Sequence, residues 1–174
     1  MGIINNQKII YNNSKTYFWG GLFLPNRILN EVINNSINYL KKRNSDLIKF
    51  KYTPHNHIIY SKINKTLFEW VIENIVKNSI DSMGGTGNIS IKIGNIDNEI
   101  QIVLRDEGKG IPEKNYKKIF ESGFSSKKKG WGLGLSLSKR IISLYHGGKI
   151  FVKDSKIGEG TAIEIRLPVF KESS

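Results

Sequence analysis

Apolar residues return along this chain with two periods, one helical and one of two. After Pro25-Asn26, Ile28, Leu29, Val32, Ile33, Ile37 and Leu40 recur at the spacing of one helix face, which predicts an amphipathic helix up to Lys42. A longer run over 64–83 sets Leu67, Phe68, Val71, Ile72, Ile75, Val76, Ile80 and Met83 on one broad face and predicts a core helix. The period of two appears at 47–52, where Leu47, Lys49 and Lys51 alternate with Ile48, Phe50 and Tyr52, and Pro54 stops the strand. A second short strand is expected at 57–60. Gly84-Gly85-Thr86-Gly87 ends the core helix and opens a hairpin whose arms carry Ile89, Ile91, Ile93 and Ile100, Ile102, Leu104. A third helix is expected at 133–145, closed by His146-Gly147-Gly148, and two last strands at 149–153 and 161–167 turn at Gly158-Glu159-Gly160.

The resulting order, α, ββ, α, ββ, loop, α, ββ, predicts an α+β fold with a mixed, mostly antiparallel sheet covered by helices on one face. A doubly wound βαβ arrangement is excluded. The expected domain is 26–170, preceded by a linker or poorly ordered segment at 1–25 and followed by a tail at 171–174. Within the first segment, Tyr17-Phe18-Trp19 and Leu22-Phe23-Leu24 read either as two short strands about Gly20-Gly21 or as a linker that packs on a neighbour.

Composition narrows the classes. With 174 residues, 39% of them hydrophobic, the chain can bury one core of ordinary size. The absence of cysteine excludes disulfides and thiolate metal sites. A formal charge of +12 invites a nucleic-acid reading, but the lysines are scattered and no aromatic-interleaved basic stripe is present, so no nucleic-acid partner is expected. The longest apolar run, near 18–24, is too short to span a bilayer, and the first residues lack the features of a signal peptide. A cytoplasmic location without membrane contact is the expectation.

Candidate chemistry gathers between 106 and 135. Asp106-Glu107-Gly108-Lys109-Gly110-Ile111-Pro112 puts a carboxylate at a strand end before two glycines that allow close backbone approach. Such a carboxylate can accept from the exocyclic amino group of adenine; the bland alternative is an acidic tight turn. Gly130-Trp131-Gly132-Leu133-Gly134-Leu135 leads into a helix whose N-terminal amides favour phosphate, or is simply a flexible glycine linker. Neither G-x-x-x-x-G-K-[ST] nor G-x-G-x-x-G is present. On the core helix Asn74, Asn78 and Asp81 fall on one narrow stripe, whereas Glu69 and Glu73 point elsewhere. Asn oxygens suit Mg²⁺, although two asparagines four apart also merely border a helix face. Gly158-Glu159-Gly160-Thr161 alone is a hairpin with a threonine.

In this order the four motifs resemble the ATP-binding domain shared by sensor histidine kinases, gyrase, the Hsp90 chaperones and MutL. Residues 74–81 are similar to that family's Asn box, 106–112 to its first glycine box, and 130–135 and 158–161 to the later ones. Ile119-Phe120-Glu121-Ser122-Gly123-Phe124 resembles the phenylalanine box, with Ser122 where a proline is more usual. The resemblance implies a two-layer α/β sandwich of the Bergerat type with a mobile ATP lid, here about 114–129, whose glycines, lysines and serines offer little apolar anchorage. It also implies ATP and Mg²⁺ as cofactors. Asp106 would bind the adenine amino group, Asn78 the metal, and Thr161 would help close the adenine pocket. The rest of the implied nucleotide-binding set is Asn74, Asp81, Gly108, Gly110, Ile111, Phe120, Ser125, Ser126, Lys127, Gly130, Gly132, Leu133, Gly134 and Leu135. Lys127 with Ser125 and Ser126 would reach the phosphates, or form a solvated loop.

Position 74 chooses the branch. By resemblance, the hydrolysing members and the anti-sigma serine kinases place a Glu there as general base; Asn74 cannot take a proton. A neutral residue suits a sensor histidine kinase, a cytoplasmic or membrane-tethered protein that passes phosphate to a response regulator. His55, His57 and His146 all read as ordinary loop residues, none in the setting of a phosphoacceptor. The expected partners are therefore a histidine-bearing dimerisation domain outside this chain and a downstream response regulator. The alternatives are an ATP-hydrolysing gyrase- or MutL-like module, an anti-sigma-type protein kinase, and a non-catalytic binding module whose nucleotide site has decayed.

Overall fold

The computed structural model describes residues 23–43, 46–56, 60–125 and 131–169. Among these residues, seven strands and three α-helices follow in chain order: β1 (Phe23–Pro25), α1 (Asn26–Arg43), β2 (Ile48–Thr53), β3 (Tyr60–Lys62), α2 (Lys65–Ser82), β4 (Gly87–Ile96), β5 (Glu99–Asp106), α3 (Gly134–His146), β6 (Lys149–Lys156) and β7 (Gly160–Pro168). Five strands form one sheet in the order β2-β4-β5-β7-β6, antiparallel throughout except for the parallel edge pair β2-β4. This is the mixed, mostly antiparallel sheet that the alternation predicts.

The core lies between that sheet and the helices. Ile89, Ile91 and Ile93 on β4 and Ile100, Ile102 and Leu104 on β5 are buried, and so are Phe68, Val71, Ile72, Ile75 and Val76 on α2 and Leu29, Val32, Ile33, Ile37 and Leu40 on α1. Each side chain of this set contributes on the order of 1.5–3 kcal/mol of transfer free energy. Helix α2 starts because the Asn64 side chain caps it, accepting from the Leu67 N–H at 3.1 Å. It stops at Gly84 and Gly85, whose φ of +67° and +85° a residue with a Cβ rarely adopts. The two-residue turn Asp97-Asn98, with φ of 50° and 60°, then closes the β4-β5 hairpin.

Three features differ from the sequence pattern. The strand expected at 57–60 is found at Tyr60–Lys62, and it pairs with β1 rather than with the main sheet; residues 57–59 lie outside the described ones. The stretch 114–129 is less open than its composition suggests. Its first part makes two 3-10 turns, Glu113–Asn115 and Lys118–Phe120, with Ile119 and Phe120 buried and the Tyr116 hydroxyl donating to Ser155 O at 2.7 Å. These apolar anchors shorten the part that can act as a lid. Finally, β7 is buried on both faces. On the side away from the helices, Glu164 accepts from Arg166 at 2.6 Å and pairs with Lys153 at 3.1 Å. Burial alone would raise its carboxyl, but donors from Gln101, Arg166 and Lys153 hold it below the usual carboxylate range.

Candidate functional site

A cavity of about 410 Å³ opens between α2, the ends of β5 and β7, the loop after β5 and the first turn of α3. Its closed end is built on Asp106, 5% exposed, the last residue of β5. Three donors converge on that carboxylate: the Ser79 hydroxyl on Oδ2 at 2.8 Å, the Gly108 N–H on Oδ1 at 2.9 Å, and the Ser82 hydroxyl on Oδ1 at 3.3 Å. Antiparallel register sets Thr161 of β7 directly opposite Asp106. A Cβ on Gly160 would fall 1.9 Å from the Asp106 carbonyl oxygen, and one on Gly108 1.9 Å from the Ser82 hydroxyl. Glycine at these two positions is therefore what lets the loop and the hairpin close around the carboxylate. Ser155, paired with Thr161 just past the β6 bulge, accepts from the Ile111 N–H at 2.8 Å and lies 2.9 Å from the Thr161 hydroxyl, tying the loop to the pocket wall.

Asn74, Asn78 and Asp81 line the cavity along α2. Asn74 is also anchored: its Nδ2 donates to Ser138 of α3 at 2.9 Å, and its Oδ1 would lie 2.4 Å from a Cβ on Gly134. The first turn of α3 enters here with Gly132, Leu133, Gly134 and Leu135. Its N-cap residue, Leu133, makes no side-chain capping bond, and because the first turn lines the cavity its leading amides can act as donors there. Glu73 pairs instead with Lys77 at 3.6 Å on the outer face of α2. Among the described residues, no group of three or more His, Cys, Asp or Glu side chains is placed to hold a metal. The oxygens of Asn78 and Asp81 fit a hard cation that takes one or two protein ligands and completes its shell from phosphates and water.

Of the residues singled out in the sequence, Gly110, Ile111 and Ser125 also form the wall, with Thr161 and Asp106 at the closed end. Gly108 and Phe120 do not: Gly108 stands behind Asp106 as a donor, and Phe120 is buried in the core. Ser126, Lys127 and Gly130 lie outside the described residues. The pattern missed Ser79, Ser82, Ile119, Phe124 and Trp131, all of which line the cavity. Ser79 and Ser82, three apart on the stripe beside Asn78, were the signal available.

His146 is not an ordinary loop residue. It is the last residue of α3 and 2% exposed; its Nε2 accepts from the Asn64 N–H at 3.1 Å, and its Nδ1 stands 3.1 Å from Ile141 O. With Nε2 accepting, the proton belongs on Nδ1, donated to that carbonyl. Burial pushes its pKa below the ordinary imidazole value, partly opposed by the bond to the Ile141 carbonyl.

The chain belongs to the family of histidine kinase-, DNA gyrase B- and HSP90-like ATPases, whose model matches residues 63–171. Sporulation kinase D of Bacillus subtilis is 39% identical over 108 residues, which cover 62% of this chain and 21% of the kinase. The match covers 18% of sporulation kinase A and 15% of sporulation kinase E, so the chain is similar to only a small part of these relatives. Among solved structures, the mycobacterial sensor histidine kinase MprB superposes with a TM-score of 0.73 at 27% identity, over 86% of this chain and 97% of that one. Histidine kinase ThkA, solved in complex with the response regulator protein TrrA, gives 0.66 at 25% identity, over 88% of this chain and 44% of that one. The fold is that of a histidine kinase catalytic domain. No helix among the described residues is long and apolar enough to cross a membrane.

Proposed function

We propose that this chain is the catalytic ATP-binding unit of a sensor histidine kinase, with 26–170 as the working domain. It binds Mg-ATP along α2 and passes the γ-phosphoryl to a histidine on a separate dimerisation domain, from which a response regulator draws it. The observation that carries this reading is the polarity of the cavity. A buried acceptor, Asp106, closes one end, and the first-turn amides of α3 with the oxygens of Asn78 and Asp81 stand at the other. That length and sequence of groups suit adenine, then sugar, then phosphates. Asp106 accepts from the adenine amino group and Thr161 closes the pocket beside it. Asn78 is the residue best placed for Mg²⁺, which when bound would neutralise phosphate charge. Gly132, Leu133, Gly134 and Leu135 present backbone N–H groups to the phosphates, and Ser125 lines the same cavity; Ser126 and Lys127, which lie outside the described residues, are phosphate ligands by sequence resemblance alone. A cytoplasmic location follows from this role.

Asn74 supports transfer over hydrolysis. Its amide is held by Ser138, and it has no lone pair basic enough to take a proton from water. Phosphoryl transfer needs chiefly positioning and charge neutralisation, which the cavity supplies. Incubation with γ-labelled ATP tests the proposal. The chain alone should bind ATP without appreciable release of phosphate and without labelling itself, and addition of its dimeric histidine-bearing domain should yield an acid-labile, alkali-stable product on that domain. Steady phosphate release, or an acid-stable product, overturns it.

A further inference from the structure

We infer that Ser79 is a positioning residue for base selection: acting through Asp106, it holds the carboxylate as an acceptor-only floor, so that the site takes a purine bearing a 6-amino group. This rests on the adenine reading above. Ser79 is buried, lies on the part of α2 that faces the end of β5, and lines the cavity. Its hydroxyl carries one proton, and the 2.8 Å bond commits that proton to Oδ2. What Ser79 offers elsewhere is lone pairs.

The other carboxylate oxygen is held just as directly, by the Gly108 N–H at 2.9 Å. With one donor fixed on each oxygen, the carboxylate cannot turn about its Cβ–Cγ bond without losing both bonds. Its remaining lone pairs therefore keep a set direction. A 6-amino group meets this floor with a donor, whereas a purine with hydrogen at that position leaves desolvated acceptors unmatched, which is the costly outcome in a buried site. Ser82 differs in kind. Its hydroxyl donates to Ser79 O at 2.9 Å and reaches Oδ1 only at 3.3 Å, so its first partner is the helix backbone.

The test compares ATP with purine riboside triphosphate, which lacks only the 6-amino group, in binding titrations on the full chain. Wild type should prefer ATP by roughly ten- to a hundredfold. Ser79→Ala should weaken ATP by about tenfold and leave the analogue unchanged, so that the preference shrinks. Ser82→Ala should shrink it less. In an Asp106→Ala background the preference should vanish, and adding Ser79→Ala should change nothing more. Equal weakening of both ligands by Ser79→Ala, an intact preference, or additivity with Asp106→Ala overturns the role of Ser79 and leaves the adenine reading standing. If wild type does not distinguish the two ligands, the adenine reading falls as well.

Discussion

The two ends of the cavity are built on different principles. At the Asp106 end the carboxylate is buried, one donor already holds each of its oxygens with the Ser82 hydroxyl at 3.3 Å beside them, and strand register places Thr161 opposite. A Cβ would press on the Asp106 backbone at Gly160 and on the Ser82 side chain at Gly108, so both positions call for glycine. At the α3 end the lining is surface-facing: Trp131 is 86% exposed, Leu133 is exposed at the head of the helix, and that N-cap residue makes no side-chain capping bond. The first end is complete before any ligand arrives, so it can discriminate between bases at little reorganisation cost. If the site takes ATP as proposed, the phosphates would complete the second end. Recognition of the base and engagement of the phosphates should therefore respond differently to mutation.

The largest effect should come from filling the tight end. Gly160 has φ of +108°, and a Cβ there would press on the Asp106 carbonyl at 1.9 Å. Gly160→Ala combines backbone strain with a clash against backbone and should cost roughly 3 kcal/mol or more, with loss of ATP binding. Thermal unfolding measures the first and calorimetry the second. A variant that melts with wild type would show that the closed end is not rigid.

Asp106→Ala comes next, with ATP affinity lower by roughly ten- to a hundredfold. Its fold should persist at some cost in stability, because Ser79 and the Gly108 N–H lose their acceptor. Unchanged affinity in titration would place the base elsewhere. Asn78→Ala probes the other end and should be milder and conditional: roughly a tenfold loss of the affinity that Mg²⁺ adds, with metal-free binding preserved. Equal losses with and without Mg²⁺ would erase the distinction between the two ends.

These contrasts also show what the sequence could reveal. Helical and alternating periods were enough for α1, α2, α3 and the β4-β5 hairpin, because each buries a single face. Asp106 and Thr161 were legible as separate motifs, but their juxtaposition is a property of strand register across 55 positions of chain, which no local pattern carries. The parallel pairing of β2 with β4 was hidden for the same reason. Ser79 was overlooked because a serine on a mostly apolar helix looks like a boundary residue until the carboxylate it bonds is placed. Glu164 went unremarked and His146 read as an ordinary loop residue because polar residues in a strand and at a helix end read as solvent-facing. Tertiary partners, Lys153 and Arg166 for one and the Asn64 N–H for the other, make their burial tolerable.

His146 carries the smallest and most discriminating prediction. It ties the C-terminal end of α3 to the cap of α2, and its ring meets Phe68 edge-on at 5.6 Å between centroids, so α3 is fixed at the end remote from the cavity. That bond requires the neutral ring, since a proton on Nε2 removes the acceptor and places charge in a buried site. The folded-state pKa lies below the ordinary imidazole value. Between those two values the unfolded chain binds more protons, so the contribution of His146 to stability is present in full above about pH 6.5 and is lost as pH falls through the folded-state value. His146→Gln should cost about 1–2 kcal/mol at pH 7.5 and flatten this part of the stability profile, as followed by denaturant unfolding from pH 8 to pH 5. Because the constraint acts on α3 and not on Asp106, the variant should also lose more affinity for ATP than for adenosine. A parallel loss of both would mean that α3 supports the whole cavity and that its two ends are not independent.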